Sequence, residues 1–88
     1  MNPATVGYPV MFYATVNGVA PSGSVNFMDG AVSIAGCAAV PLLRSGNTGF
    51  AWCTTAALTI GSHSIVAAYS GDGANAPSTS APLTQVIK

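Results

Sequence analysis

Five side chains in this sequence have types suited to acid–base, metal or redox chemistry. The acids are Asp29 and Asp72, the one histidine is His63, and the cysteines are Cys37 and Cys53. Acid–base catalysis uses paired carboxylates or a histidine oriented by a partner, and a serine with His63 and Asp72 could in principle form a triad. No nucleophile-elbow motif surrounds any serine, and both aspartates precede glycine, as is typical of turns. We therefore expect no catalytic residues.

The same side chains do not suffice for a metal or cofactor site. Structural zinc takes about four Cys or His ligands, whereas the two cysteines and His63 make three. Calcium takes about six to eight oxygen ligands, usually with several carboxylates, and the sequence has two aspartates and no glutamate. We expect no cofactor. His63 lies at an inward-facing position of a predicted strand, and we expect its side chain to pack in the core or to hydrogen-bond a loop.

The two cysteines are expected to form one disulfide. Segments 37–43 and 48–55 read as two strands joined by a turn, and a hairpin centred on Ser45 places residues whose numbers add to 90 opposite each other. Cys37 and Cys53 meet that condition. Closing a loop of about 15 residues stabilises a chain by about 3 kcal/mol. A disulfide indicates a secreted or cell-surface protein, and the alternative is a pair of buried thiols in a reducing compartment.

Charge is scarce throughout the chain. Only 5% of the 88 residues are charged and the formal net charge is zero, against about 25% charged residues in an ordinary domain. Nucleic-acid binding needs a basic stripe, so no nucleic-acid partner is expected. Every apolar run is interrupted well before the roughly 18–20 residues that a transmembrane helix needs, so no membrane insertion is expected. The start of the sequence also lacks the pattern of a signal peptide.

Short strands separated by glycine and proline are expected to position these side chains. About seven are predicted, over residues 9–16, 24–28, 31–35, 37–43, 48–55, 63–69 and 81–87. They are rich in Val, Ile, Thr, Phe and Tyr, and the dipeptide Asp29-Gly30 predicts a two-residue hairpin turn. Because no segment has a long helical period, the pattern indicates one all-β domain over residues 1–88, either a sandwich or a barrel.

Six segments of the sequence closely match a known family pattern. They are NPATVGYPVMFYATV, GSVNFMDG, IAGCAAVPL, CTTAAL, GSHSIVAAYSGD and STSAPLTQVI. Together they resemble bacterial immunoglobulin-like (Big-type) repeat domains, which occur in tandem in large secreted and cell-surface proteins. The resemblance implies an immunoglobulin-like Greek-key β-sandwich without a catalytic centre. It also implies that Tyr69 serves as a structural tyrosine corner that anchors a loop through its hydroxyl.

The sequence departs from this family in two ways that affect its surface. Family members usually begin with another strand before the NPATVG-like motif, so part of the first strand is expected to be missing and one sheet edge to be open. The family usually has small polar residues at outward positions, whereas alternation here places Met11, Tyr13, Phe50 and Trp52 outward on two strands that are neighbours in an immunoglobulin-like topology. We expect these four residues to form one exposed apolar patch.

The patch predicts a protein contact more than a glycan site. Tyr13, Phe50 and Trp52 could form a platform for a sugar, but few nearby side chains can bond sugar hydroxyls. The expected partners are neighbouring immunoglobulin-like repeats or identical subunits. Three functions therefore stay open: a spacer or adhesin repeat, a subunit that self-assembles into filaments or oligomers through its open edge and apolar face, and a glycan-binding module. All three imply a secreted or cell-surface protein.

Overall fold

The computed structural model describes residues 2–88, which form nine short strands. They are β1 (Val10–Asn17), β2 (Ser24–Asp29), β3 (Val32–Ser33), β4 (Val40–Pro41), β5 (Leu43–Ser45), β6 (Thr48–Thr55), β7 (Gly61–Tyr69), β8 (Ser78–Thr79) and β9 (Leu83–Ile87). The predicted all-β class is confirmed. Within the described residues, no helix has the length and apolar character needed to cross a membrane.

Two antiparallel sheets face each other. The smaller sheet has the order β1-β6-β5. The larger sheet has β7 at its centre, with β2 on one side and both β8 and β9 on the other, while β3 and β4 pair with β2. The connections from β1 to β2 and from β6 to β7 cross between the sheets, as expected for an immunoglobulin-like Greek-key sandwich.

Alternating apolar side chains from both sheets fill the core. On β1, Val10 and Phe12 are buried while Met11 between them is exposed. On β2, Val25 and Phe27 are each only 1% exposed. A strand directs successive side chains to opposite faces, so this alternation fixes which residues of each strand lie between the sheets. The inward phases predicted for β1 and β2 are confirmed.

Segment 37–43 was predicted as one strand, and this prediction is wrong. The chain pairs with β2 at Val40–Pro41 and then with β6 at Leu43–Ser45, so it changes sheets at Leu42. Gly46, with φ of 63°, sits in a tight two-residue connection between β5 and β6. Leu43 then lies opposite Phe50, and paired residue numbers add to 93 rather than 90.

The hairpin predicted at Asp29-Gly30 exists, but its turn is shifted by one residue. Asp29 ends β2 and pairs with both Val32 and Ile65, and the two loop residues are Gly30 and Ala31. Of these two, only Gly30 has a positive φ, of 63°, as a type II′ turn requires at its first central position. Asp29 is therefore a strand residue whose side chain projects from the larger sheet.

Each sheet has a distinctive outer edge. Strands β8 and β9 both pair with β7, but their registers differ by one residue, as in a β-bulge. The N-terminal segment runs parallel to β9 and bridges it at Ala4 and Ile87. In the smaller sheet, β1 pairs with β6, and within residues 2–88 no strand pairs with its second edge.

Candidate functional site

An exposed apolar surface covers the outside of the smaller sheet. The register of β1 and β6 places Tyr13 opposite Trp52, with ring centroids 6.4 Å apart and ring planes 14° from parallel. Phe50 lies 6.2 Å from Tyr13. Met11 is 60% exposed, Tyr13 59% and Trp52 42%, while Phe50 is half-buried. The structure thus brings together the four residues that the sequence placed in one patch.

Leu43 extends this surface and was missed by the sequence prediction. It lies opposite Phe50 across the β5–β6 pair and is 59% exposed. Predicting it would have required the correct hairpin register, which depends on the tight turn at Gly46. We call the five residues Met11, Tyr13, Leu43, Phe50 and Trp52 the aromatic face.

The Cys37–Cys53 disulfide is present, but not in the hairpin that was expected to form it. Cys53 lies on β6, whereas Cys37 lies in the loop after β3, where its carbonyl accepts a hydrogen bond from the Phe27 amide. The disulfide therefore joins the two sheets, with 5.8 Å between the Cα atoms of the two cysteines. Both cysteines are buried. The cross-strand register used to pair them was wrong.

The Tyr69 hydroxyl anchors a loop at one end of the sandwich. Tyr69 is the last residue of β7 and is 5% exposed, and its hydroxyl donates a 2.6 Å hydrogen bond to the carbonyl of Ser22. Burial raises the pKa of Tyr69, and the negative charge of Asp72 raises it further. The hydroxyl therefore stays protonated, and it fastens the β1–β2 loop to the end of β7.

Asp72 supports the same loops from the segment that follows β7. Its carboxylate accepts hydrogen bonds from the Ser22 amide at 2.7 Å and from the Ala74 and Asn75 amides at 2.8 Å each. The bond from the Ser22 amide, followed by that from Ala74, holds the pKa of Asp72 well below its usual range. Gly71, with φ of 77°, makes the turn that brings Asp72 there. Asp72 is thus a structural carboxylate between two loops.

His63 is paired with Asp29 rather than with Asp72. Its Nδ1 lies 2.6 Å from Asp29 Oδ2, and its Nε2 lies 2.7 Å from the carbonyl oxygen of Thr59. A neutral imidazole donates through only one nitrogen, so two acceptors favour the doubly protonated ring. The Thr59 carbonyl, and next the Asp29 carboxylate, raise the pKa of His63. Within residues 2–88, no three His, Cys, Asp or Glu side chains form a group able to hold a metal.

We expect the stability of this protein to fall as pH rises above 6.5, the ordinary pKa of histidine. His63 has a raised pKa in the folded state, so the stability it contributes is complete below its ordinary pKa of 6.5 and is lost as pH rises through the folded value. No other histidine is present in the sequence. Urea unfolding measured from mildly acidic to mildly alkaline pH should show this fall in wild type and not in His63→Gln. Equal slopes for the two proteins would contradict the assignment.

Comparison with protein families gave a match over the full length of the chain. A model described as a bacterial Ig-like domain (group 3) matches residues 1–88, the whole chain. Neither curated proteins nor solved structures gave a significant match. The match agrees with the two-sheet architecture described above and with the segments that carried the resemblance in the sequence.

Proposed function

The chain belongs to the family of bacterial Ig-like domains (group 3), and on that basis we propose that it is a load-bearing spacer or adhesin repeat of a secreted or cell-surface protein. Domains of this family are generally non-catalytic structural modules and typically occur in extracellular or surface proteins. The finer role proposed here rests on one observation, which is the way the two ends of the chain are joined.

The N-terminal segment and β9 lie side by side and run in the same direction. The Ala4 amide donates to the Val86 carbonyl at 2.9 Å, the Lys88 amide to the Ala4 carbonyl at 2.8 Å, and the Val6 amide to the Lys88 carbonyl at 2.9 Å. The Asn2 side chain adds a bond to the Thr84 carbonyl at 2.6 Å and accepts one from the Val86 amide at 3.0 Å. Five hydrogen bonds therefore join the two ends.

This geometry suits resistance to extension. Because the two segments run parallel, pulling the ends of the chain apart slides one segment along the other and loads all five bonds together. The Cys37–Cys53 disulfide then limits extension further, because the segment of chain between the two cysteines cannot be pulled out while the disulfide is intact. The molecule is also elongated, with principal extents of 41, 22 and 19 Å.

The proposal is tested by pulling single molecules from their two ends. The double variant Asn2→Ala, Val6→Pro removes three of the five bonds at exposed positions and leaves buried Ala4 in place. We expect it to unfold at clearly lower force than wild type. Thr5→Pro is the matched control, because Ala4 and Val6 donate to β9 and the amide of Thr5 points to the other side. Equal unfolding forces for wild type and the double variant would refute the proposed role.

We further propose that the aromatic face meets a protein surface rather than a glycan. Sugar sites combine an aromatic platform with side chains that hydrogen-bond hydroxyl groups in a fixed geometry. The outward positions of β1 and β6 beside this face offer the short hydroxyl side chains of Thr15 and Thr54, and at the end of the same strands Asn17 and Thr48, which hydrogen-bond each other. A large apolar surface with so few polar groups favours contact with another apolar surface.

A further inference from the structure

The open edge of β1 presents unpaired backbone groups. The bond from the Gly18 amide to the Asn47 carbonyl continues the β1–β6 ladder and fixes its alternation. The even-numbered residues of β1 therefore bond β6, and Met11, Tyr13 and Thr15 direct their amides and carbonyls away from it. Such a row of free donors and acceptors is a template for another strand.

The features that usually prevent edge pairing are missing from β1. The strand has the sequence VMFYATVN, with no charged residue and no proline. It pairs with β6 in one continuous register from Val10 to Asn17, without a bulge. Natural sheets block their edges with lysine, proline, bulges or very short strands. This edge is eight residues long and has none of these.

A groove runs along the same edge and leads into the core. Two cavities, of about 260 and 180 Å³, lie between β1 and the strands β7, β8 and β9. Both are lined by Tyr13 and Ala67; Val25 lines the first cavity, and Phe12 and Phe27 line the second. The groove on the side of the sandwich beside β1 is therefore lined in part by core residues.

The aromatic face begins at this edge as well. Met11 and Tyr13 are its β1 members, and Trp52 and Phe50 follow on the adjacent strand. Arg44, on the far strand β5, is the one charged residue in the three strands of this sheet. Unpaired backbone, an opening to the core and an apolar outer surface thus coincide on β1.

We propose that a second copy of this chain occupies the edge, with the two β1 strands antiparallel about a two-fold axis at Tyr13. The two three-stranded sheets then become one six-stranded sheet. This pairing goes beyond the load-bearing role, since that role concerns the other sheet and the ends of the chain.

The sequence of β1 is self-complementary in this register. Tyr13 lies opposite Tyr13 of the second copy, and Met11 lies opposite Thr15 of the second copy. These are the residues with outward backbone groups, so three residue pairs exchange about six hydrogen bonds. On the core side, Phe12 lies opposite the smaller Ala14. A shift toward the N-terminus would recruit Pro9, which has no amide hydrogen.

Charge favours a second copy as the partner. Met11 and Tyr13 lie at the pairing edge, whereas Leu43, Phe50 and Trp52 remain on the outer surface of the six-stranded sheet. A stable interface buries about 800 Å² on each partner, so strand pairing and closure of the groove have to supply most of that area. Two identical copies also meet without repulsion, because neither β1 nor the aromatic face carries a charge.

Sedimentation of the purified chain over a wide concentration range tests the proposal. We expect a monomer–dimer equilibrium that Thr15→Pro weakens at least about tenfold, since proline removes an outward amide and leaves every β1–β6 bond intact. Thr15→Ala keeps the amide and is the matched control. A wild-type monomer at every concentration would overturn the proposal, as would equal association of the proline and alanine variants.

Cross-linking tests the register and does not depend on the proline variant folding. The native cysteines are bonded to each other, so an introduced cysteine is the free thiol. A mixture of Met11→Cys and Thr15→Cys chains, treated with a short bismaleimide, should give more dimer than either variant alone. Equal yields from the mixture and the separate variants would overturn the register. An extended peptide that binds β1 of a chain that stays monomeric would overturn the choice of a second copy.

Discussion

Loss of the Cys37–Cys53 bond is expected to lower the free energy of unfolding by about 3 kcal/mol. The bond closes a loop across a sequence separation of 16 and joins the two sheets. A domain of this size has a total stability of roughly 4–13 kcal/mol, so the loss is a large fraction of it. The melting temperature should fall by more than about 10 °C.

Denaturant unfolding of the oxidised and the reduced protein measures this effect directly. The double variant Cys37→Ala, Cys53→Ala separates the cross-link from the thiols, because it removes the bond without burying two free sulfhydryl groups. We expect the reduced protein and the alanine variant to be destabilised to a similar extent. A difference under about 1 kcal/mol between oxidised and reduced protein would show that the bond contributes little to stability.

Phe12→Ala is expected to cost about 3–5 kcal/mol, whereas Tyr13→Ala should cost less than about 1 kcal/mol. The two residues are neighbours on β1 with opposite environments, since Phe12 is 4% exposed and Tyr13 is 59% exposed. Removing the first ring leaves a cavity between the sheets. Removing the second ring loses its contacts with Trp52 and Phe50 on an open surface.

The comparison is made by urea unfolding at low protein concentration, so that association through β1 does not contribute. Comparable losses for the two variants would mean that both faces of β1 are covered. A larger loss for Tyr13→Ala would mean that the strand faces the opposite way. In either case the aromatic face would not be an exposed surface, and the proposal of a second copy would have to be abandoned.

The long strands could be predicted from the sequence because their signal is local. Apolar residues alternate along β1, β2 and β6, and the predicted inward phases agree with the burial of Phe12, Phe27 and Cys53. The same alternation placed Tyr13 and Trp52 outside, and adjacency of the two strands followed from the family resemblance. Period-two patterning thus predicts which face of a long strand lies in the core.

Other features depend on contacts between distant residues and left no local signal. The chain changes sheets at Leu42 because Val40 and Pro41 pair with the distant strand β2, so the hairpin register differs by three from the expected one and Leu43 was missed. The pair of Asp29 and His63 is separated by 34 residues, and the bond from Ser22 to Asp72 by 50. The sequence alone shows that both aspartates precede glycines. Which side chains and amides these aspartates bond is determined by the packing of loops against strands.

The position of the sole tryptophan gives the molecule a built-in optical reporter. Trp52 lies on the aromatic face at 42% exposure, and no second indole adds to the signal. Indole fluorescence moves to shorter wavelength when water is displaced from the ring. The emission maximum of the unlabelled protein therefore depends on the solvation of a single surface position. A partner that binds over Trp52 can be detected from the shift of this maximum, without a dye.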